Sequence, residues 1–267
     1  MLNERRSAVA ESQGTVQYML ARDVVLVAAE DGSARLLDMD GAFFVLSAIA
    51  SEMLQDTLAH GAEETVVRIA TRYSESSDQV QLDLNRLLNE LRRRGLIDEG
   101  SAALPRHRVR RMLAAVCIGP PLRLLGLIAP LGGISASILL IFARACFMLF
   151  GWGSTVSAWT SVLPRRSCLS TRDQQYLIDR IDENIRDASG KIPFLACKER
   201  ALCCWYLLNL NRVPATLVVG IQLYPLSGHC WCQVGRQILT DVPGRCSLFD
   251  PVVRYGPVLY PCGEDDG

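Results

Sequence analysis

The stretch GHCWCQV, Gly228 to Val234, carries one of the chain's three histidines and two of its ten cysteines. Two thiols and an imidazole can make half a metal site, a thiol and an imidazole can make a nucleophile and its base, and paired cysteines can form disulfides. Spacing separates these readings. The stretch has the pattern of a strand, and alternation sends His229, Trp231 and Gln233 to one face and Cys230, Cys232 and Val234 to the other. The two cysteines therefore point away from whatever the histidine faces. No pair of Cys-x-x-Cys knuckles occurs anywhere in the chain, so no metal ligands are expected. Most of the cysteines sit among apolar neighbours and read as small buried hydrophobes.

The nucleophile of choice lies 32 residues earlier. Helical spacing over Ala196 to Asn209, with Leu202, Trp205 and Leu208 as apolar anchors, puts Cys197 in a first helical turn. Unpaired N–H groups and the helix dipole there favour a thiolate. Cys203 and Cys204 fall in the body of the helix, where packing is the expected role. Asp241 follows His229 by twelve residues, after a turn at Gly235-Arg236, and a hairpin returns it toward the imidazole. A lone strand histidine is more often structural. Cys197, His229 and Asp241 together supply a thiol, a base and a carboxylate that fixes the base's tautomer, which is the minimal nucleophilic set.

The elements that must position these groups form the last of three segments, 166–260. STRDQQYLIDRIDENIRDAS reads as a helix with Ser170 as N-cap, and VPATLVVGIQL as a strand before the hairpin. Ahead of it, 100–165 opens basic and becomes nearly continuous apolar sequence, which Pro120, Pro121, Pro130 and Gly132-Gly133 should break into short helices. Its longest run, Ile134 to Trp152, approaches spanning length but contains Arg144, which is costly at mid-bilayer. Amphipathic helices packed on the protein are expected, with 112–152 the candidate for a peripheral membrane or partner contact. The first segment, 15–99, shows short strands punctuated by Asp31-Gly32 and Asp40-Gly41, then three helices, the last with Val80, Leu84, Leu87, Leu88 and Leu91 at helical spacing and Gly95 at its end. The expected class is α+β: a winged-helix-like module, an apolar helical connector and a C-terminal α+β domain.

Lysine plus arginine and aspartate plus glutamate both total 28, so no global field draws the chain to nucleic acid, and the Arg92–Arg94 run reads as a solvated helix end. The charged opening MLNERRSAVAESQG lacks an apolar run, so no secretory signal is expected, and the localisation expected is cytoplasmic, with membrane association open. Reduced thiols fit that compartment.

Two resemblances sharpen this. The order LLDxxGAFFVLS, a helix, an acidic-led helix and LLNELRRRGLI (Leu87 to Ile97) resembles the PqqD-like peptide-binding domain of pyrroloquinoline-quinone biosynthesis, over about 18–99. That resemblance implies a leader-recognition element: an extended leader peptide adds as a strand near Ala42 to Leu46 and lies against the third helix. The binding residues it implies are Phe43, Phe44, Val45, Leu84, Leu87 and Leu88. The order CKERAL, RVPATLVVGI, GHCWCQV, LTD resembles the transglutaminase-like (papain-like) cysteine proteases of lasso-peptide biosynthesis, over about 125–255. It departs from that family's pattern at Asn211-Arg212, at Cys230 where alanine is common and at Gln233 where glutamate is common. Carried over position by position, Cys197 is the nucleophile, His229 the base and Asp241 the orienting acid.

Together they imply a cysteine endopeptidase that grips the leader of a ribosomally made lasso-peptide precursor and cuts it from the core before macrocyclisation. The implied partners are the precursor and a lasso cyclase that consumes ATP. The chain itself is expected to need no cofactor. An acyl-transfer or cross-linking enzyme on the same fold and a non-catalytic precursor-binding scaffold remain the alternatives.

Overall fold

A computed structural model describes residues 17–100, 105–128, 133–163 and 171–257. The expected Ser170 cap, Cys168, Cys262 and the breaks at Pro130 and Gly132 lie outside the described residues. In chain order the first elements are β1 (Tyr18–Leu20), β2 (Val24–Ala28), β3 (Ala34–Asp38), β4 (Phe43–Leu46), α1 (Ala48–His60), α2 (Ala62–Tyr73), α3 (Ser77–Arg93) and β5 (Ile97–Glu99). Then follow α4 (Pro105–Ile128), α5 (Gly133–Ser161), α6 (Thr171–Gly190), α7 (Cys197–Leu210), β6 (Ala215–Leu223), β7 (Leu226–Val234), β8 (Gln237–Leu239), α8 (Pro243–Cys246) and β9 (Asp250–Tyr255). The architecture is mixed α+β, as expected.

The chain forms two units, one of Met1–Ala21, Glu30–Ala34 and Val45–Ala103, the other of Arg22–Ala29, Arg35–Phe44 and Leu104–Gly267. This division differs from the three-segment one. The expected connector clusters with the C-terminal part, and so do two stretches inside the expected N-terminal domain.

In the first unit, Ser47 and Ser76 cap α1 and α3, their hydroxyls accepting from the Ala50 and Gln79 N–H groups. Val80, Leu84, Leu88 and Leu91 form the buried stripe of α3, which packs with α1 and α2. Gly95 at φ 71° lets the chain reverse into β5, which pairs antiparallel with β1.

In the second unit an antiparallel sheet of order β8-β7-β6-β9 packs against α7, and α5 and α6 pack against α7 in turn. The core includes Leu139, Leu140, Trp159, Leu202, Trp205 and Tyr206. Cys203, Cys204, Cys230 and Cys232 are buried in the same core as free thiols, consistent with packing. Contrary to expectation, α4 runs through Pro120 and Pro121 unbroken. Each interior proline costs about 3 kcal/mol in lost hydrogen bonding and steric conflict. Burial of Ala114, Ile118 and Leu122 on the helix's inner face, and the Tyr206 hydroxyl donating to the Leu122 carbonyl, offset that cost.

Helix α5 is long and apolar enough to cross a membrane by length and composition. It is bent at Gly151 (φ 69°, ψ −179°) and buries Ala136, Leu139, Leu140, Ala143 and Trp159 against the unit's own core. Arg144 has a partner there: its Nη1 lies 3.5 Å from Oε1 of the fully buried Glu199.

Candidate active site

Glu199 explains how α7 begins where it does. Its carboxylate reaches back and accepts a hydrogen bond from the Ala196 N–H at 2.9 Å, closing the first turn of the helix. Arg144 neutralises it. The first residue of α7 is Cys197, partly buried, with the Cys230 backbone N–H hydrogen-bonded at its sulfur.

Strand β7 carries the base. In the ladder His229 faces Gly220 and Cys230 faces Val219 of β6. A side chain at position 220 would sit 2.9 Å from Phe249 Cβ and from the Trp231 ring. Its absence lets both rings close on the imidazole, with centroids 6.0 Å (Trp231) and 4.9 Å (Phe249) from that of His229. His229 is 3 % exposed. Trp231 packs with Val218 and Cys246, on the face opposite Cys230 and Cys232, as alternation requires.

The carboxylate comes from beyond the returning strand rather than from within it. Strand β8 ends at Leu239, and Thr240 takes a left-handed φ of 67°, a strained state for a β-branched residue. Helix α6 holds this bend: Asp182 accepts from the Thr240 N–H at 2.6 Å, and Arg186, paired with Asp182, donates to the Asp241 carbonyl at 2.9 Å. The bend aims the Asp241 side chain inward. One oxygen accepts from the Val242 N–H, and the other, Oδ2, lies 2.9 Å from His229 Nε2. The Nε2–H direction is off the line to Oδ2, so this is a close polar pair without the alignment of a good hydrogen bond. Such contacts commonly tighten only when substrate is bound. Arg200 and Arg245 each approach Oδ2 to 4.0 Å and add positive charge behind the acid.

Nε2 is the ring nitrogen that faces Asp241, and Cys197 and His229 line one cavity. The structure thus brings all three expected residues together. Their ionisation differs from the expected thiolate. Burial pushes the Cys197 thiol above its ordinary range, outweighing the hydrogen bond from the Cys230 N–H and the nearby Arg200. Burial also lowers the His229 imidazole, although the Asp241 carboxylate opposes it. A helix start alone does not ionise a thiol that burial desolvates. Among the described residues, no three His, Cys, Asp or Glu side chains gather as metal ligands would.

The residues expected to bind a leader separate into kinds. Strand β4 is at an edge of the order β2-β3-β4, with Val45 exposed and Phe43 and Phe44 half-buried. Leu84 and Leu88, at 0 % and 4 % exposure, belong to the core of the first unit and offer no surface to a peptide; Leu87 keeps some exposure. A helix stripe that holds three helices together cannot also face a ligand. Pattern reading missed Glu199, Asp182, Arg186 and Thr240. Only Glu199 left a signal, as a carboxylate at the third position of a helix.

Comparison with known families agrees with this order. Residues 140–254 match the family model described as transglutaminase-like superfamily, and residues 23–97 match that described as coenzyme PQQ synthesis protein D (PqqD). No curated protein and no solved structure matches the chain. The chain therefore joins a PqqD segment, of the kind that recognises ribosomally made precursor peptides, to a transglutaminase-like segment of the cysteine-enzyme kind.

Proposed function

We propose that the protein is a cysteine endopeptidase that removes the leader from a ribosomally made lasso-peptide precursor. The observation that carries this is the approach of Asp241 to His229 at 2.9 Å beside a cavity shared with Cys197, in a chain that also holds a precursor-recognition segment. His229 accepts the thiol proton as Cys197 Sγ attacks the carbonyl carbon of the leader–core amide. The first-turn N–H groups of α7, which have no intrahelical partner, face the charge that develops on the carbonyl oxygen. The amide C–N bond breaks, His229 returns the proton to the leaving amine, and the leader is held as a thioester. Water, deprotonated by His229, attacks the thioester carbon; the C–S bond breaks and the thiol is reprotonated. Asp241 keeps the imidazole oriented throughout and stabilises its charged form.

The PqqD segment binds the leader by strand addition at the β4 edge, and tethering then raises the concentration of the scissile bond at the thiol. The released core goes to an ATP-consuming cyclase. The exposed Met112, Leu113 and Val116 of α4 and Met148 and Leu149 of α5 are the surface assigned to that partner.

The test uses the purified full chain and a lasso-peptide precursor carrying its leader. Mass spectrometry should find a shortened core with the native protein and none with Cys197→Ala, while fluorescence anisotropy shows leader binding retained. Cleavage by Cys197→Ala overturns the assignment. A product with a new linkage in place of a shortened peptide favours acyl transfer.

A further inference from the structure

The cavity beside Cys197 and His229 measures about 190 Å³ and lies wholly within the second unit. Part of its lining comes from α7, β6 and β7. The rest comes from far earlier in the chain, from Leu37, Met39 and Phe43 around the β3–β4 turn, with Trp152 of α5. This lining is apolar, whereas Asp40 and Lys198 supply charge.

The turn is held rigidly. Asp38 N–H donates to the Ala42 carbonyl, Gly41 N–H to the Asp38 carbonyl, and the Asp40 N–H to the Asp38 side chain. The bend of α5 at Gly151 frees the Trp152 N–H, which donates to Asp40 Oδ1 at 2.6 Å. A side chain at Gly151 would meet the Asp40 carboxylate oxygens at 2.7 and 2.9 Å, so the latch requires glycine there on steric grounds as well as for its φ of 69°. At the other end, the tip of the Phe43 ring stands 3.4 Å from where a Cβ on Gly228 would be, one residue before His229. Phe43 is thus set against the strand that carries the base.

We propose that this cavity is the specificity subsite, that it takes one medium-sized apolar side chain from the substrate residue flanking the scissile bond, and that Phe43 sets its depth. The inference rests on the cysteine-peptidase reading and adds to it the residue class cut and the chain segment that selects it. Size supports it. An apolar cavity of about 150 Å³ accommodates a benzene ring, so this one suits leucine, methionine or phenylalanine. A carboxylate would lose its hydration against that apolar lining and meet the like charge of Asp40, with Lys198 the cation among the lining residues. Phe43 is thereby withdrawn from the edge-strand role and acts as a specificity-determining residue.

The experiment measures Cys197 adduct formation on the full chain with short peptidyl vinyl sulfones that differ only in the residue next to the warhead: Ala, Leu, Phe, Trp or Asp. The thiol adds to the vinyl carbon, and intact mass with peptide mapping reads the site and rate. The Leu or Phe probe should react at least tenfold faster than Ala, Trp or Asp, in line with the roughly 10–200-fold that one methylene is worth in an apolar pocket. Phe43→Ala should move the optimum to Trp, and Phe43→Trp should slow the Phe probe more than the Ala probe. Equal rates for all five probes overturn the subsite but leave the peptidase reading standing. An unchanged profile in both variants removes Phe43 from the role. Adducts at Cys197 no faster than at the exposed Cys117 overturn the underlying peptidase reading itself.

Discussion

Burial moves Cys197 and His229 in opposite senses, the thiol up and the imidazole down, and both shifts work against a preformed thiolate–imidazolium pair. The resting site therefore holds a neutral thiol beside a neutral base. A thiol at its ordinary pKa of about 8.5 is roughly 3 % ionised at pH 7, and Cys197 lies below that fraction. A cysteine paired with charged histidine, with a pKa of about 3–4, would be fully ionised instead. Alkylation by iodoacetamide, which consumes thiolate, distinguishes the two. Its rate at Cys197, followed by peptide mapping from about pH 5 to 10, should remain below roughly 3 % of the alkaline plateau at pH 7 and climb tenfold per pH unit thereafter. Cys203, fully buried and with its thiol raised well above the usual range, should stay slower than Cys197 throughout. A plateau already reached below pH 7 refutes the reasoning. Turnover should be limited on the acid side only, because His229 accepts a proton only when neutral and its lowered pKa sets that limb below about 6.5. Stability carries the same sign: above about pH 6.5 the imidazole is neutral folded or unfolded, and as pH falls the unfolded chain takes up the proton first, so stability is lost toward the folded-state pKa.

Two further substitutions probe the scaffold. Gly220→Ala places a methyl 2.9 Å from Phe249 Cβ and the Trp231 ring, and such overpacking costs about 1–3 kcal/mol. At about 2–4 °C per kcal/mol, thermal denaturation should show a fall of several degrees, with activity lost because the rings that hold His229 are displaced; an unshifted midpoint counts against the close packing. Among the described residues, Arg144→Met leaves the buried Glu199 carboxylate with the Ala196 N–H as its one hydrogen-bond partner, at a cost of about 1–3 kcal/mol in urea denaturation. Adding Glu199→Gln should recover part of that loss, and equal stability of single and double variants would show that the two residues are not coupled.

Periodicity revealed α3 because it buries one stripe, whereas α7 is buried on all sides from Ala201 to Asn209 and was legible by its length and apolar content. The same argument could not find the bend at Gly151 or the unbroken passage through Pro120 and Pro121. Local propensity treats glycine as flexible and proline as a breaker. Whether a helix bends depends on what packs against it, and here Asp40 captures the freed amide at one site while Ile118 and Leu122 hold the helix at the other. The charge of Arg144 in an apolar run was legible as a cost but not as half of a pair. Its partner is 55 residues away and identifiable only once α5 and α7 are packed.

The site shows the same boundary between spacing and packing. Cys197 and His229 could be read from a helix start and a strand, each fixed by its own element; Asp241 reads as part of the returning strand, whereas it sits past that strand on a bend held by Asp182 and Arg186 of α6. The ionisation of Cys197 and His229 could not be read, because it depends on how much water reaches the cavity, and dipole reasoning alone pointed the wrong way. Nor could the role of Phe43. Its resemblance-based role was on an edge strand, yet its ring stands against Gly228 because the Asp38–Ala42 turn is latched by Asp40 to α5. That latch has a consequence for the reaction. Loss of Asp40 would free the turn without touching Cys197, His229 or Asp241, so it should broaden the choice of residue at the scissile bond while leaving the thiol as reactive as before.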